Sequence, residues 1–275
     1  MDDNAYTAAE EHNRSVWDAR VRQARSFARP AGDAEFVDPL RHLDGANWLG
    51  GDIRGKRLLC LAAGGGRHGP LYAAAGAEVT VVDISAAQLA LDREVAAARK
   101  LRLRTIQASI DRLPMLGQAE FQVVIQPVST CYVPDVLAVY REVARVTCPG
   151  GLYISQHKQP ASLQADTVPA SRGYELIHPC CLEGPLPQVA GSPHREEGTW
   201  EYLHRWELLL GGLCRAGFAI EDVHEPLHAD PRAPRGTFAH RSCFVPPYIR
   251  LKARRRGIRS PEIAGARPLL HSGQP

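Results

Sequence analysis

Short apolar runs alternate with segments of helical spacing between residues 56 and 155. The short runs fit buried strands, and the intervening segments repeat their apolar positions every three or four residues, as amphipathic helices do. Strands that alternate with helices are typical of a parallel sheet covered on both faces. The pattern therefore predicts an α/β fold with a doubly wound, mostly parallel seven-stranded sheet and helices on both faces.

The boundaries of these elements follow from glycine, proline and capping residues. Strands are predicted at residues 57–61, 78–83, 104–108, 121–126, 151–155, 218–223 and 242–249. Helices are predicted at residues 70–75, 85–100, 133–146 and 199–216, the second of them capped by Ser85. An N-terminal helix is predicted to end by Pro30. Its apolar stripe consists of Trp17, Val21, Ala24, Phe27 and Ala28.

A proline-rich stretch interrupts this rhythm after the fifth strand. Residues 156–198 are too many for an ordinary loop in a compact domain, and long insertions are commonly functional. The predicted organisation is a helical cap at 1–50, a main domain at 51–256 and a flexible tail at 257–275. Within the main domain, residues 156–206 are predicted to form an insertion and helix on the substrate side.

The composition of the 275-residue chain is ordinary for a globular protein, with 44% hydrophobic and 23% charged residues. Much of the net charge of +3 comes from a basic run at residues 250–256, which is predicted to be a solvated end. Basic and aromatic residues do not interleave elsewhere, so nucleic acid is not an expected partner. No window approaches the roughly 18 apolar residues of a bilayer span, and no signal-like stretch begins the chain. A cytoplasmic protein without a membrane partner is expected.

A glycine turn and an acidic residue carry the main functional signal. The first strand runs into Gly64, Gly65 and Gly66 and then a helix, which lets the backbone approach a ligand closely. Asp83 ends the second strand, where a carboxylate can accept hydrogen bonds from both hydroxyls of a ribose. The two features lie about 20 residues apart, as in dinucleotide-binding units. A plain tight turn is the alternative for the glycines taken alone.

The chain resembles the class I S-adenosylmethionine (SAM)-dependent methyltransferases over residues 56–155. The resemblance lies in segments 59–66, 81–85, 109–114 and 121–125, and in the Pro-Gly-Gly turn before the fifth strand. It implies SAM as the cofactor and a small molecule as the acceptor of its methyl group, by in-line displacement. The cofactor-binding residues that it implies are Ala62, Ala63, Gly64, Gly65, Gly66, Asp83, Ile84, Ser109, Ile110 and Gln126.

The resemblance also places the end of the fourth strand beside the acceptor, which makes Tyr132 a candidate catalytic residue. Three positions depart from the family pattern, since Cys60, Ala62 and Ser109 stand where an acid, a glycine and an aspartate are usual. These departures leave open a SAM-fold protein without methyl-transfer activity. A nicotinamide-dependent oxidoreductase is a further alternative, although the turn lacks the G-x-G-x-x-G spacing.

His157, beyond the fifth strand, is the candidate catalytic base, because the pKa of histidine lies near working pH. A structural histidine is the alternative, and Lys158 is a candidate to bind an anionic substrate group. No metal is expected. Residues 224–228 match H-E-x-x-H, but Pro226 opposes the helix that this motif needs. The seven cysteines follow neither a disulfide nor a zinc-site spacing.

Overall fold

The computed structural model describes residues 3–23, 29–192 and 194–257. Its centre is a seven-stranded sheet. In chain order the strands are β1 Arg57–Leu61, β2 Glu78–Asp83, β3 Leu103–Gln107, β4 Phe121–Gln126, β5 Thr147–Lys158, β6 Phe218–His224 and β7 Tyr248–Arg255. The order across the sheet is β3-β2-β1-β4-β5-β7-β6, with β7 antiparallel to both of its neighbours and the other pairs parallel. The predicted α/β fold with a mostly parallel sheet is confirmed.

Helices fill the connections between the strands. Within the described residues they are α1 Asp3–Arg22, α2 Asp33–Val37, α3 Pro39–Leu43, α4 His68–Ala74, α5 Ala86–Ala98, α6 Val136–Val146, α7 Pro160–Gln164, α8 Gly212–Arg215 and α9 Phe238–Ser242. A 3-10 turn at Thr130–Tyr132 precedes α6, and a π-helical turn at Glu207–Gly211 leads into α8. Ser85 caps α5 as predicted, because its side chain accepts a hydrogen bond from the Gln88 N–H.

The two faces of the sheet bury separate apolar layers, because side chains alternate along each strand. On one face, Leu59 packs in a cluster with Tyr140 of α6. On the other face, Leu58 packs with Tyr72 of α4 and Leu89 of α5. Strands buried on both faces consist of nearly continuous apolar residues, which is why the central strands could be located from sequence.

Two predicted elements lie elsewhere in the structure. The helix predicted at 199–216 begins only after Trp206, because residues 199–204 pair with other loops. The Tyr202 N–H donates to the Cys131 carbonyl at 2.6 Å, and the Glu201 carbonyl accepts the Leu186 N–H at 2.7 Å. The strand predicted at 242–249 is also displaced, since Ser242 ends α9 and the strand begins after two prolines. Proline cannot donate to a sheet ladder, so it delays the strand.

The basic run is part of the sheet, so its prediction as a solvated end was wrong. Residues 250–255 belong to β7, where the basic side chains alternate with buried apolar ones. Arg254 pairs with Glu221, and Arg255 donates to the Ala144 and Gly217 carbonyls. Apolar residues at every second position are the signature of a strand, and this pattern is harder to recognise when the intervening residues form a run of basic side chains.

The N-terminal helix is present as α1, which ends at Arg22. The predicted stripe positions Ala24, Phe27 and Ala28 lie outside the described residues, as does the tail from 258 onward. Across the described part of the chain, each helix is too short or too polar to cross a bilayer.

Candidate active site

A cavity of about 820 Å³ lies at the edge of the sheet where the parallel strands end. Ligands of doubly wound sheets bind at this edge. Because β7 is antiparallel, its first residues reach the same edge and extend the wall. Of the ten residues predicted to bind the cofactor, all except Gly66 line this cavity.

The turn after β1 brings the backbone close to Asp83. Ala62 has a left-handed backbone, with φ of 46°, and its N–H donates to the Val82 carbonyl at 2.7 Å. A Cβ atom on Gly64 would lie 2.7 Å from Gln88 Cβ and 3.0 Å from Asp83 Oδ2. Glycine at position 64 is therefore required by the close approach of this turn to α5 and to the end of β2.

Asp83 is buried and accepts hydrogen bonds from two backbone N–H groups. Its Oδ1 accepts from Ser85 at 2.9 Å and its Oδ2 from Gly64 at 3.0 Å. Burial raises the pKa of Asp83 to about 6, although these hydrogen bonds lower it. Among the described residues, no cationic side chain pairs with this carboxylate. Each oxygen therefore retains a lone pair for a neutral donor.

A second carboxylate, that of Asp92, holds the turn from behind. Asp92 is fully buried and accepts the N–H groups of Gly65 and Gly66, both at 3.2 Å. Burial and the charge of Asp83 raise the pKa of Asp92 to about 7. The Gly66 carbonyl accepts the Ala31 N–H, so Gly66 closes the turn and does not face the cavity.

Gln126 and Tyr132 both line the cavity, and their polar groups are already engaged. Gln126 donates to Ser129 Oγ at 2.9 Å and accepts from the Tyr153 hydroxyl at 2.6 Å. The Tyr132 hydroxyl donates to Glu196 at 2.7 Å. Burial and the charge of Glu196 raise the pKa of Tyr132 well above its ordinary value. The geometry gives Tyr132 an anchoring position and leaves its hydroxyl no free proton to transfer.

His157 lies behind the wall and does not line the cavity. It is completely buried, its Nδ1 is 2.8 Å from Thr130 Oγ1, and its Nε2 is 2.7 Å from Ser155 Oγ. Burial lowers the pKa of His157 to about 3. A base needs direct reach to its proton and a pKa near the operating pH. This geometry favours the structural alternative, and we assign His157 no role in the chemistry.

Lys158 also does not line the cavity and belongs to a buried ionic cluster. Its Nζ donates to Glu196 and, at 2.5 Å, to Glu201. Arg195 donates to the other oxygen of Glu201 at 2.5 Å. These contacts fasten the insertion to the end of β5, and they leave Lys158 no charge to offer to a substrate.

Helix α1 covers the cavity, and sequence patterns alone did not identify the residues that hold it. Asn13 and Trp17 line the wall. Asn13 donates to the Trp200 carbonyl at 3.1 Å and accepts the Trp200 N–H at 2.8 Å. Asp18 accepts a hydrogen bond from Ser85 Oγ at 2.5 Å. Since Asn13 and Asp18 are polar residues on a helix, only their contacts reveal that they bridge α1 to the insertion and to α5.

Residues 224–228 do not form the helix that the H-E-x-x-H motif requires. His224 ends β6, and the four residues after it are irregular. In the described part of the chain, no three His, Cys, Asp or Glu side chains are grouped as a metal site would need. His228 instead lines the cavity beside Phe238 and Tyr248.

The fold and the cavity define a Rossmann-like methyltransferase. The family model described as a methyltransferase domain matches residues 59–155. The chain is 34% identical over 229 residues to the uncharacterized methyltransferase YbaJ of Bacillus subtilis, which covers 78% of this chain and 89% of YbaJ. It therefore belongs to the class I SAM-dependent methyltransferases and is an enzyme that uses SAM.

Two further similarities agree with this membership. A ubiquinone biosynthesis O-methyltransferase of Alkalilimnicola ehrlichii is 30% identical over 128 residues, which span 46% of this chain and 51% of that protein. The crystal structure of a SAM-dependent methyltransferase from Mesorhizobium loti superposes with a TM-score of 0.60 at 25% identity. The superposition covers 78% of this chain and all of that one. The nicotinamide-dependent alternative is thereby disfavoured.

Proposed function

We propose that the enzyme methylates a small molecule, with SAM in one half of the cavity and the acceptor in the other. The cofactor half is formed by the ends of β1, β2 and β3. The acceptor half is formed by the ends of β4 and β5, the start of β7 and the loop before β1. The observation that carries this division is the position of Asp83 at the end of β2, with two oxygens open to donors.

The residues of the cofactor half fit SAM. The Asp83 carboxylate has no cationic partner among the described residues, and two adjacent ribose hydroxyls would supply the missing donors. Ile84 and Ile110 lie beyond Asp83 and offer apolar walls to the adenine ring. Gly64 and Gly65 contribute bare backbone to the same wall.

The size and cover of the cavity support a small acceptor. Small-molecule sites occupy about 300–1,000 Å³, and a volume of 820 Å³ is in the upper part of that range. Helix α1 and the segment around Glu196 lie across the cavity, which favours a small molecule over a polymer. The basic residues Lys252 and Arg254 of β7 both pair with Glu221, which disfavours these two side chains as a contact for nucleic acid.

The protein contributes mainly position and exclusion of water. When bound, SAM supplies a methyl group on a positively charged sulfur. Alignment of a nucleophile with such a group can account for about 7–11 kcal/mol of a barrier. Trp17 closes the cavity from α1, and Trp48 closes it from the opposite loop. His68 also lines the wall, and burial lowers its pKa to about 4, so at neutral pH its uncharged ring can accept a hydrogen bond from the acceptor.

The affinity for S-adenosylhomocysteine (SAH), the demethylated cofactor, is expected to fall at acidic pH. The pKa of Asp83 is raised to about 6 by burial, so below that pH its carboxylate gains a proton and loses acceptor capacity. Calorimetric titration should give binding about tenfold weaker at pH 5 than at pH 8. Asp92 also titrates in this range, because burial and the charge of Asp83 raise its pKa to about 7, so Asp83→Asn is the control and should remove the step near pH 6. A step that persists in that variant belongs to another group.

Loosening of α1 is expected to weaken cofactor binding. Asn13→Ala removes the hydrogen bonds that tie α1 to Trp200 and to the Tyr132 carbonyl. If α1 is a lid, fewer molecules hold the closed form, and the SAH dissociation constant should rise by up to about tenfold. Stopped-flow measurement should show that most of the change lies in the dissociation rate. Ser15→Ala, at an exposed position of α1, is the matched control, and equal rates for both variants would exclude the lid.

A further inference from the structure

Arg250 is a half-buried arginine that faces the acceptor half of the cavity. Its Nε donates to Gln156 Oε1 at 2.7 Å, across the β5–β7 pair. Neither of its terminal amino groups has a hydrogen-bond partner among the described residues, and no carboxylate there forms an ion pair with it. The next basic residues of β7, Lys252 and Arg254, both pair with Glu221. The guanidinium of Arg250 therefore lines the cavity without an ion-pair partner among the described residues.

Three other charged side chains of the cavity wall have hydrogen-bond or ion-pair partners. The Asp44 carboxylate accepts the N–H groups of Trp48 and Leu49, both at 2.8 Å. Glu196 is paired with Lys158, and Arg67 is paired with Glu35. Arg29 also lines the wall but is exposed to solvent. Among the described residues of the acceptor half, Arg250 is a partly buried cation that forms no ion pair, and such a cation favours an anionic ligand.

Aromatic rings stand beside this guanidinium. The ring centroid of His228 lies 5.5 Å from that of Phe238 and 5.5 Å from that of Tyr248, and all three rings line the cavity. Burial and the charge of Arg250 lower the pKa of His228, so the imidazole beside the guanidinium is neutral. Trp48 completes the wall, with its indole nitrogen held by Asp222 at 2.9 Å. Flat apolar walls next to one fixed cation match a planar ring that carries an anionic group.

We propose that the methyl acceptor is an aromatic oxyanion, a planar ring bearing a carboxylate or similar group, and that Arg250 binds its anionic end. The proposal rests on the proposed function, because it assigns the acceptor to this half of the cavity. Gln156 fixes the guanidinium through Nε and leaves both terminal amino groups for a two-pronged contact with an oxyanion. Arg250 is thus a residue that determines acceptor specificity.

The test uses the full-length protein saturated with SAH and titrated with benzoate, phenylphosphonate, benzamide and benzylamine, followed by ligand-observed NMR. Benzoate or phenylphosphonate should bind at least about tenfold more tightly than benzamide, which has the same ring without the charge, and benzylamine should bind most weakly. The relative affinities of benzoate and phenylphosphonate identify the kind of oxyanion. The proposal would be overturned if benzoate and phenylphosphonate bound no more tightly than benzamide, or if neither anion bound.

Variants locate the effect. Arg250→Met should weaken benzoate binding by about tenfold and leave benzamide binding within about twofold, while Arg250→Lys should restore part of the preference. Arg254→Met is the matched control, because Arg254 lies four residues along the same strand and outside the cavity. It should change the affinity for neither benzoate nor benzamide. Benzoate binding that is indifferent to Arg250→Met also contradicts the proposal. The wild-type comparison of benzoate with benzamide decides the matter if the variant does not fold.

The SAH titration that begins the experiment separates the two proposals. Without SAH binding, the assignment of the cofactor half fails. With SAH bound and no preference for anions, the cofactor half stands and only the role of Arg250 is rejected.

Discussion

Lys158→Met is expected to destabilise the protein by about 3–5 kcal/mol, because it leaves the buried Glu196 carboxylate without its cation and Glu201 with Arg195 alone. The side chains of Lys158 and Glu201 are almost inaccessible to solvent, and that of Glu196 is 10% exposed. For a domain of this size, the loss corresponds to a melting temperature lower by roughly 6–20 °C. Thermal unfolding followed by circular dichroism measures it directly.

The pH dependence identifies the cause. Burial raises the pKa of Glu196, but the charge of Lys158 and the hydrogen bonds from Lys158 and Tyr132 together outweigh burial, so the net pKa lies below its ordinary value. Without Lys158 the burial effect remains, and protonation of Glu196 should then relieve the unpaired charge. The deficit should be full at pH 7 and shrink at acidic pH, and Glu196→Gln in the Lys158→Met background should restore part of it.

A surface pair provides the matched comparison. Lys252→Met removes a partly exposed lysine that lies 3.7 Å from Glu221, and pairs of this kind contribute at most about 1 kcal/mol. If Lys158→Met costs no more than Lys252→Met, the cluster does not fasten the insertion to the sheet.

Asp83→Asn is expected to weaken SAH binding by about 1–3 kcal/mol, or roughly 5- to 150-fold. The substitution keeps the size of the side chain and removes the charge that strengthens hydrogen bonds from ribose hydroxyls. An NH₂ group replaces one of its two acceptor oxygens, and this donor then faces the N–H of Ser85 or Gly64, which is also a donor. Isothermal titration measures the SAH affinity of the two proteins. It is best done at pH 8, where the wild-type carboxylate is ionised and the difference in affinity is largest.

The control for Asp83 is a carboxylate that lies outside the cavity. Asp52 is exposed, and its hydrogen bonds and ion pair with described residues all go to its neighbour Arg54, so Asp52→Asn should bind SAH as the wild type does. An Asp83→Asn protein that melts normally and binds SAH with unchanged affinity would remove the ribose role of Asp83.

Sequence patterns were sufficient for the central strands and for the turn that joins them. The ends of β1, β2 and β4 agree with prediction because these strands are buried on both faces and bounded by glycine or polar residues. The Asp83 position follows from the end of β2 alone. Edge elements were harder, since β7 mixes arginines with apolar residues and residues 199–204 pair with distant loops that no local pattern reveals.

The acceptor half could not be assembled from sequence for a related reason. Trp48, Phe238 and Arg250 come from three separate segments, and only the antiparallel return of β7 brings Arg250 beside Gln156. The same limit applies to His157. The sequence pattern around a histidine at the end of a strand is the same whether its ring faces a ligand or, as here, the hydroxyls of Thr130 and Ser155. Burial decides between these cases, and burial depends on tertiary packing.

A crystal structure of the protein grown with SAH tests the division of the cavity most directly. Both ribose hydroxyls should lie within hydrogen-bond distance of Asp83, with the adenine ring between Ile84 and Ile110 and the Arg250 half left open for the acceptor. SAH bound with its ribose away from Asp83, or with its adenine among Trp48, Phe238 and Arg250, would contradict the proposed arrangement and assign the two halves in the opposite sense.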